Sequence, residues 1–241
     1  MLTATNVTKR FGGLVAVDDV DFSICDEEIV GLIGPNGAGK TTLFNTITGV
    51  HPPNEGSITF NGEELVGKTP NQVAQLGVAR TFQAVRTFNE SSVLDNATVG
   101  AVFGNDESVS MNEATERARE ALAFVGLGGR EEAEAGSLTI ADRKQLELAK
   151  GLAADPDLIL VDEIGAGLTP AEIEEITQTL ERARDERGVS VFWIEHIMEA
   201  IMSVTDRIIV LNRGEKIADG TPEEIRSNEQ VTQAYLGEVE S

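Results

Sequence analysis

Gly34 to Thr41 read Gly-Pro-Asn-Gly-Ala-Gly-Lys-Thr, the pattern G-x-x-x-x-G-K-[ST] with Gly34, Gly39, Lys40 and Thr41 at its fixed positions. Residues of these types at this spacing hold phosphate. The glycines permit backbone conformations that a Cβ forbids, so successive N–H groups can turn inward as an anion nest. A helix that starts near Gly39 adds its positive end to the same spot. Lys40 supplies a point charge for β- and γ-phosphates, and the Thr41 hydroxyl is the expected Mg²⁺ ligand. Pro35, Asn36, Gly37, Ala38 and Thr42 complete the binding loop. Its flanks suit it: Glu28 to Gly34 is a short apolar run, as a buried parallel strand requires, and Thr42 to Thr48 has helical spacing with Leu43, Phe44 and Ile47 on one side.

A second chemical element is Leu158-Ile-Leu-Val-Asp-Glu163, an apolar run ending in two carboxylates. By itself it reads equally as a strand leaving the core for solvent. Beside a phosphate loop it reads as a buried strand that delivers Asp162 to a Mg²⁺ shell at the carboxyl end of a sheet. Glu163 then stands where it can accept a proton from an attacking water.

The elements that must carry these groups follow from periodicity and turn chemistry. Residues 2–8 and 20–25 are expected as strands joined across Gly12-Gly13, and Gly56–Gly62 as another strand closed by Asn-Gly. Gly77–Phe82 is expected as a strand after a helix that Thr69-Pro-Asn-Gln72 opens. Ser92–Val102, Asn112–Val125 and Ala141–Ala154 are charge-rich and helical, and they interrupt the alternation of strands and helices. After Pro156 that alternation returns. Thr169-Pro-Ala-Glu172 caps a helix running to about Arg187, Val189–Ile194 is a strand, Asp206–Asn212 and Glu215–Asp219 pair as a hairpin, and Thr221-Pro-Glu-Glu224 caps a last helix. The pattern predicts an α/β fold with a mostly parallel sheet, an N-terminal antiparallel β subdomain and a helical lobe.

The order of these elements resembles the ATP-binding subunit of an ABC transporter over nearly the whole chain. The resemblance implies a P-loop NTPase core at 1–89 and 155–241 with the helical lobe at about 90–154, all in one nucleotide-binding domain spanning 1–241. It implies a Q-loop at Thr81-Phe-Gln83, whose Gln83 approaches Mg²⁺ and the attacking water and senses the membrane partner. It implies a switch histidine, His196, in Ile194-Glu-His196, contacting the γ-phosphate. Phe11, in Lys9-Arg-Phe-Gly12, takes the place of the aromatic that stacks on adenine, its alternative being a strand-end core residue, and Val17 is expected to add apolar contact to the base.

The signature region departs from the family pattern. Leu-Ser-Gly-Gly-Gln stands here as Leu138-Thr139-Ile140-Ala141-Asp142. Thr139 keeps a hydroxyl, Ile140 and Ala141 replace both glycines, and Asp142 replaces glutamine, so the site is expected to work in altered form. Asp142 is alternatively a plain helix N-cap. Ile164 and Ala166-Gly-Leu-Thr-Pro170 also depart from the common pattern. Together with Ala79–Arg86 and Arg10–Val17 they resemble the ATPases of branched-chain amino acid importers, to which importers of urea and short amides are similar.

The implied cofactors are ATP and Mg²⁺. The implied partners are transmembrane permease subunits, a second ABC ATPase subunit meeting this one head to tail, and indirectly an extracytoplasmic solute-binding protein. A regulatory or non-transport ABC ATPase with low hydrolysis is the competing reading.

Composition narrows these classes. The chain has 241 residues, 41 Asp and Glu against 19 Lys and Arg, and a formal net charge of −22. That charge repels nucleic acid phosphates and anionic lipid, so no nucleic acid partner is expected. It also strains the compact state unless salt screens it, which suggests a high-salt cytoplasm; solvated acidic helix faces such as Glu172, Glu174, Glu175 and Glu181 are the plainer explanation. One cysteine, Cys25, allows no internal disulfide. With neither a signal-like N-terminus nor a spanning apolar run, the expected location is the cytoplasmic face of the membrane, held there through protein.

Overall fold

Ile29–Ile33 and Ser190–Ile194 are buried at every position, as short runs flanked on both faces must be. They anchor the first of two units in the computed structural model, which describes residues 1–81, 86–104 and 109–236. In chain order the elements begin β1 (Leu2–Phe11), β2 (Leu14–Ile24), β3 (Ile29–Ile33), α1 (Lys40–Ile47), β4 (Glu55–Phe60), β5 (Glu63–Glu64), α2 (Pro70–Gln75) and β6 (Val78–Arg80). They continue α3 (Val93–Gly104), α4 (Met111–Phe124), α5 (Ile140–Ala153), β7 (Leu158–Asp162) and α6 (Pro170–Arg187). The last are β8 (Ser190–Ile194), α7 (Met198–Val204), β9 (Arg207–Asn212), β10 (Glu215–Gly220), α8 (Pro222–Ser227) and α9 (Glu229–Leu236).

The first unit comprises residues 1–70 and 190–241. Its antiparallel sheet has the order β2-β1-β4-β5. In its other strands, β3 pairs parallel with β8 on one side and β9 on the other, and β10 closes a hairpin antiparallel to β9. The mostly parallel sheet and the N-terminal antiparallel subdomain are therefore both present. Helix α1 buries Leu43, Phe44 and Ile47, the face its spacing predicts. Phe44 and Phe22 both meet Phe192, with ring centroids 5.1 and 5.5 Å apart. Each such side chain contributes roughly 1.5–3 kcal/mol by leaving water.

The second unit comprises residues 71–189. The helical lobe expected at 90–154 packs here as one body with β6, β7 and α6. Strands β6 and β7 pair parallel, with Arg80 opposite Leu160. Helices α3 and α5 approach at two glycines: a Cβ on Gly100 would lie 1.9 Å from the Lys150 carbonyl oxygen, and one on Gly104 would lie 2.1 Å from the Ala154 Cβ. Helix α4 buries the small stripe Ala114, Ala118 and Ala121 with Leu122. The guanidinium carbons of Arg182 and Arg187, on α6, each lie 4.3 Å from the Phe124 ring centroid, a double cation–π contact between α6 and the end of α4.

Candidate functional site

The phosphate loop leaves β3 at Ile33 and enters α1 at Lys40. Gly39 is the N-cap of α1 with φ +105°, a conformation that favours glycine. A Cβ there would lie 2.3 Å from the Ala16 carbonyl oxygen, and one on Gly34 would lie 2.1 Å from that of Leu211. The loop is thus seated on β2 and β9 where no side chain fits. Gly214 ties it further, donating its N–H to the Ala38 carbonyl while its own carbonyl accepts from the Asp18 N–H. Lys40 is buried, and its Nζ donates to the Gly34 and Pro35 carbonyl oxygens at 2.6 and 3.0 Å. The loop therefore curls around its own lysine, a cradle shaped for a phosphate chain. Thr41 is exposed in the first turn of α1, and Asn36 and Gly37 are exposed on the loop. Beside them opens a cleft of about 550 Å³, bounded by Pro35–Ala38, by Asn212 and Arg213 at the β9–β10 turn, and by Gln230 and Gln233 on α9.

Phe11 is 42% exposed at the end of β1, with its ring edge-on to His51 at 5.4 Å and Lys9 Nζ 5.1 Å from its centroid. It presents the open aromatic surface that stacking requires. Val17, expected to add apolar contact to the base, does not present a surface: it is fully buried. The register of β2 turns this side chain inward, and its backbone underlies the turn at Gly214. Val15 and Leu14 carry the exposed apolar surface of that strand.

In the second unit β7 ends at Asp162, 3% exposed, and the next residue, Glu163, has φ +47°. A non-glycine residue in this region is strained, and such strain gathers at functional positions. Arg80 Nη2 donates to Asp162 Oδ2 at 2.8 Å, and Thr81 Oγ1 accepts the Asp162 N–H at 3.3 Å. Ile164 is buried, and Thr169 forms a capping box with Glu172 at the start of α6. Gln83 lies outside the described residues.

The signature residues form the start of α5. Thr139, not Asp142, is the N-cap: Thr139 Oγ1 accepts the Asp142 N–H at 3.1 Å, and the Asp142 carboxylate reaches back to the Thr139 N–H. Asp142 also pairs with Arg130 at 2.7 Å. Partial burial acts to raise the Asp142 pKa, but the bonds from Thr139 and Arg130 outweigh it and hold the carboxyl below the usual range. Leu138 is buried beneath the turn, while Ile140 is 61% exposed in the place of a glycine. With its acceptor side engaged, the Thr139 hydroxyl still has a proton to donate.

His196 is exposed after β8, whereas Glu195 is buried. Glu195 Oε1 accepts the N–H groups of His196 and Ile197, which fixes the turn that presents the imidazole. Sequence pattern gave no site role to Arg80, Glu195, His51 or the turn at Asn212 and Arg213, which it read only as part of a hairpin. The Arg80 contact spans 82 positions and leaves no local signal. Glu195 sits inside the His196 motif, and its place between an apolar strand and a polar turn was a readable hint.

Hard oxygen donors suit Mg²⁺, and the Thr41 hydroxyl and Asp162 carboxylate are of that kind. Among the described residues no group of three or more His, Cys, Asp or Glu could hold a metal ion by itself. Each is a single hard oxygen donor within its own unit, so each suits Mg²⁺ only as one ligand among others.

Residues 17–166 match the ABC transporter family, and residues 215–241 match a family described as branched-chain amino acid ATP-binding cassette transporter. The chain is 40% identical to the high-affinity branched-chain amino acid transport ATP-binding protein LivG of Salmonella typhimurium, covering 99% of this chain and 98% of the relative. It is 39% identical to BraF of Pseudomonas aeruginosa over the same shares. It is also similar, at 34% identity over 98% of this chain and 97% of the relative, to the lipopolysaccharide export system ATP-binding protein LptB of Escherichia coli. Among solved structures, the ADP conformation of the ATP-binding cassette MJ1267 superposes with a TM-score of 0.90 at 29% identity, covering 98% of each chain.

Proposed function

Because the chain belongs to the ABC transporter family of ATP-binding subunits, we propose that it is the ATPase that powers an importer of branched-chain amino acids. The observation that carries the reading is the glycine-shaped loop of residues 34–41 around the buried Lys40 ammonium, opening onto the N-terminus of α1. Relatives named for branched-chain amino acid transport support the choice of solute. The resemblance of Ile164 and Ala166–Pro170, with Ala79–Arg86 and Arg10–Val17, to that branch points the same way.

In this reading the loop N–H groups and Lys40 bind the β- and γ-phosphates of ATP. Phe11 stacks on adenine. Thr41, Asp162 and, by its family motif, Gln83 would hold Mg²⁺, which would supply charge neutralisation at the phosphoryl oxygens. Glu163 orients the attacking water and takes its proton, and His196 supports the γ-phosphate. A second ABC ATPase subunit meets this one head to tail, so that its Leu138–Asp142 region closes over the ATP; one structural neighbour, MJ0796, at 25% identity and TM-score 0.82 over 92% of this chain and 99% of that one, is described as dimeric. ATP favours the closed pair, and hydrolysis releases it. Permease subunits hold the pair at the cytoplasmic face of the membrane and exchange solute with an extracytoplasmic binding protein. Among the described residues no helix is long and apolar enough to cross a membrane, in keeping with attachment through protein.

The test is Mg²⁺-dependent ATP hydrolysis by the wild type and Glu163→Gln. Turnover that rises with protein concentration and is lost in the variant, with ATP still bound, is expected. ATP binding without hydrolysis in the wild type, even with permease subunits present, would overturn the enzymatic part of the reading.

A further inference from the structure

Arg80 is the last residue of β6, three positions before Gln83. Its guanidinium meets the Asp162 carboxylate at 2.8 Å, and the two side chains are only 8% and 3% exposed. One residue later, Thr81 Oγ1 accepts the Asp162 N–H, and the Thr81 N–H donates to the Leu160 carbonyl at 2.9 Å. The end of β6 therefore grips Asp162 by side chain and backbone together. No motif in the chain assigns Arg80 a part in this.

A carboxylate buried to this degree is costly without a cation beside it. Arginine suits that place, because its charge persists at every accessible pH and its long side chain brings Nη2 to Asp162 Oδ2. The consequence for a metal is direct. A divalent ion that takes an Asp162 oxygen must do so next to a fixed positive charge, in a setting where charges interact more strongly than in water. The repulsion weakens metal binding at Asp162 until negative phosphates add their attraction.

Resting on the reading that Asp162 joins the Mg²⁺ shell, we infer that Arg80 is a positioning residue that orients Asp162 and withholds it from Mg²⁺ until nucleotide is bound. Arg80 thus makes metal binding at Asp162 conditional on the nucleotide. Orientation depends on the geometry of the Nη2–Oδ2 bond, and the withholding depends on charge, so substitutions separate the two.

The experiment titrates MgCl₂ against the full-length chain with mant-ADP as the fluorescent probe, and melts each protein with and without Mg²⁺ and ADP. Arg80→Gln keeps a donor and removes the charge; its Mg²⁺ midpoint should fall about tenfold. It should melt lower than wild type without metal and recover most of that loss with Mg²⁺ and ADP, because the ion then takes over as counter-charge. Arg80→Lys keeps the charge and displaces the donor; its midpoint should match wild type although it melts lower. A wild-type midpoint in Arg80→Gln, or the same melting deficit with and without Mg²⁺ and ADP, would mean that Arg80 is only structural. Should Arg80→Gln fail to fold, a Mg²⁺ midpoint well below wild type in Arg80→Lys would overturn the inference, and an unchanged midpoint would support it. Asp162→Asn tests the premise separately: it should raise the midpoint, and no change would remove the Mg²⁺ reading of Asp162 and the inference with it.

Discussion

Glu195 Oε1 accepts the backbone N–H of His196 at 2.8 Å, so a buried carboxylate fixes the turn that presents an exposed imidazole. The same oxygen takes the Ile197 N–H at 3.4 Å. Glu195→Ala leaves these two donors without that acceptor and frees the turn. The expected result is a fall in kcat for ATP hydrolysis of about tenfold or more, with ATP affinity nearly unchanged, since misplaced catalytic groups cost rate before binding. Glu195→Gln retains an acceptor oxygen and should keep most of the activity. Steady-state kinetics with a parallel nucleotide titration checks both, and an unaltered kcat in the alanine variant would refute the role.

Gly100 allows α3 to touch α5. A Cβ there would fall 1.9 Å from the Lys150 carbonyl oxygen, a backbone atom that cannot swing aside. Gly100→Ala should destabilise the protein by about 1–3 kcal/mol or more, although alanine is the better helix former. Urea denaturation followed by circular dichroism measures this. A neutral or stabilised variant would mean that the helices separate at little cost.

The Asp142 carboxyl titrates below its ordinary range, because bonds from Thr139 and Arg130 overcome the effect of partial burial. A depressed native pKa means that the unfolded chain binds the proton more readily. The stabilising contribution is therefore complete above the unfolded value of about 3.9, and it is lost as pH falls through the lower folded value. Asp142→Asn should melt lower than wild type at neutral pH, and the gap should narrow on acidification below about pH 4. A gap that is constant with pH would show that the ionised carboxylate is not what secures the start of α5.

The formal charge of −22 predicts a response to salt. The screening length shrinks from about 10 Å at 0.1 M salt to about 3 Å at 1 M, which removes most repulsion between surface carboxylates. The melting temperature should rise steadily across that range in potassium chloride. A flat or falling series would reduce the acidity to ordinary solvated helix faces and withdraw the high-salt reading.

Much of the machinery was legible because it is written in short range. The phosphate loop requires glycine at places that its own backbone conformation dictates, and Gly39 has that conformation at the N-cap of α1. The Thr169 and Thr221 capping boxes each join residues three apart and formed as read. The apolar run ending in Asp162 and Glu163 became a buried strand because five consecutive apolar or terminal positions permit little else. At the start of α5 the sequence offered Asp142 as an alternative N-cap; the turn uses Thr139 instead, with Asp142 as its reciprocal partner.

The sequence by itself thus determined the conformation of the glycine loop, which carboxylates end the strand, and the order of elements that carry them, since these depend on backbone conformation and on periodicity over a few residues. Tertiary structure alone decided that Val17 faces inward, that Gly100 admits the backbone of α5, and that Arg80 pairs with Asp162. Each of these is set by strand register or helix approach between positions far apart in the chain. A charge pair across 82 residues has no period to betray it; it exists because the parallel pairing of β6 with β7 brings two polar side chains to one buried place, where neither is stable without a partner.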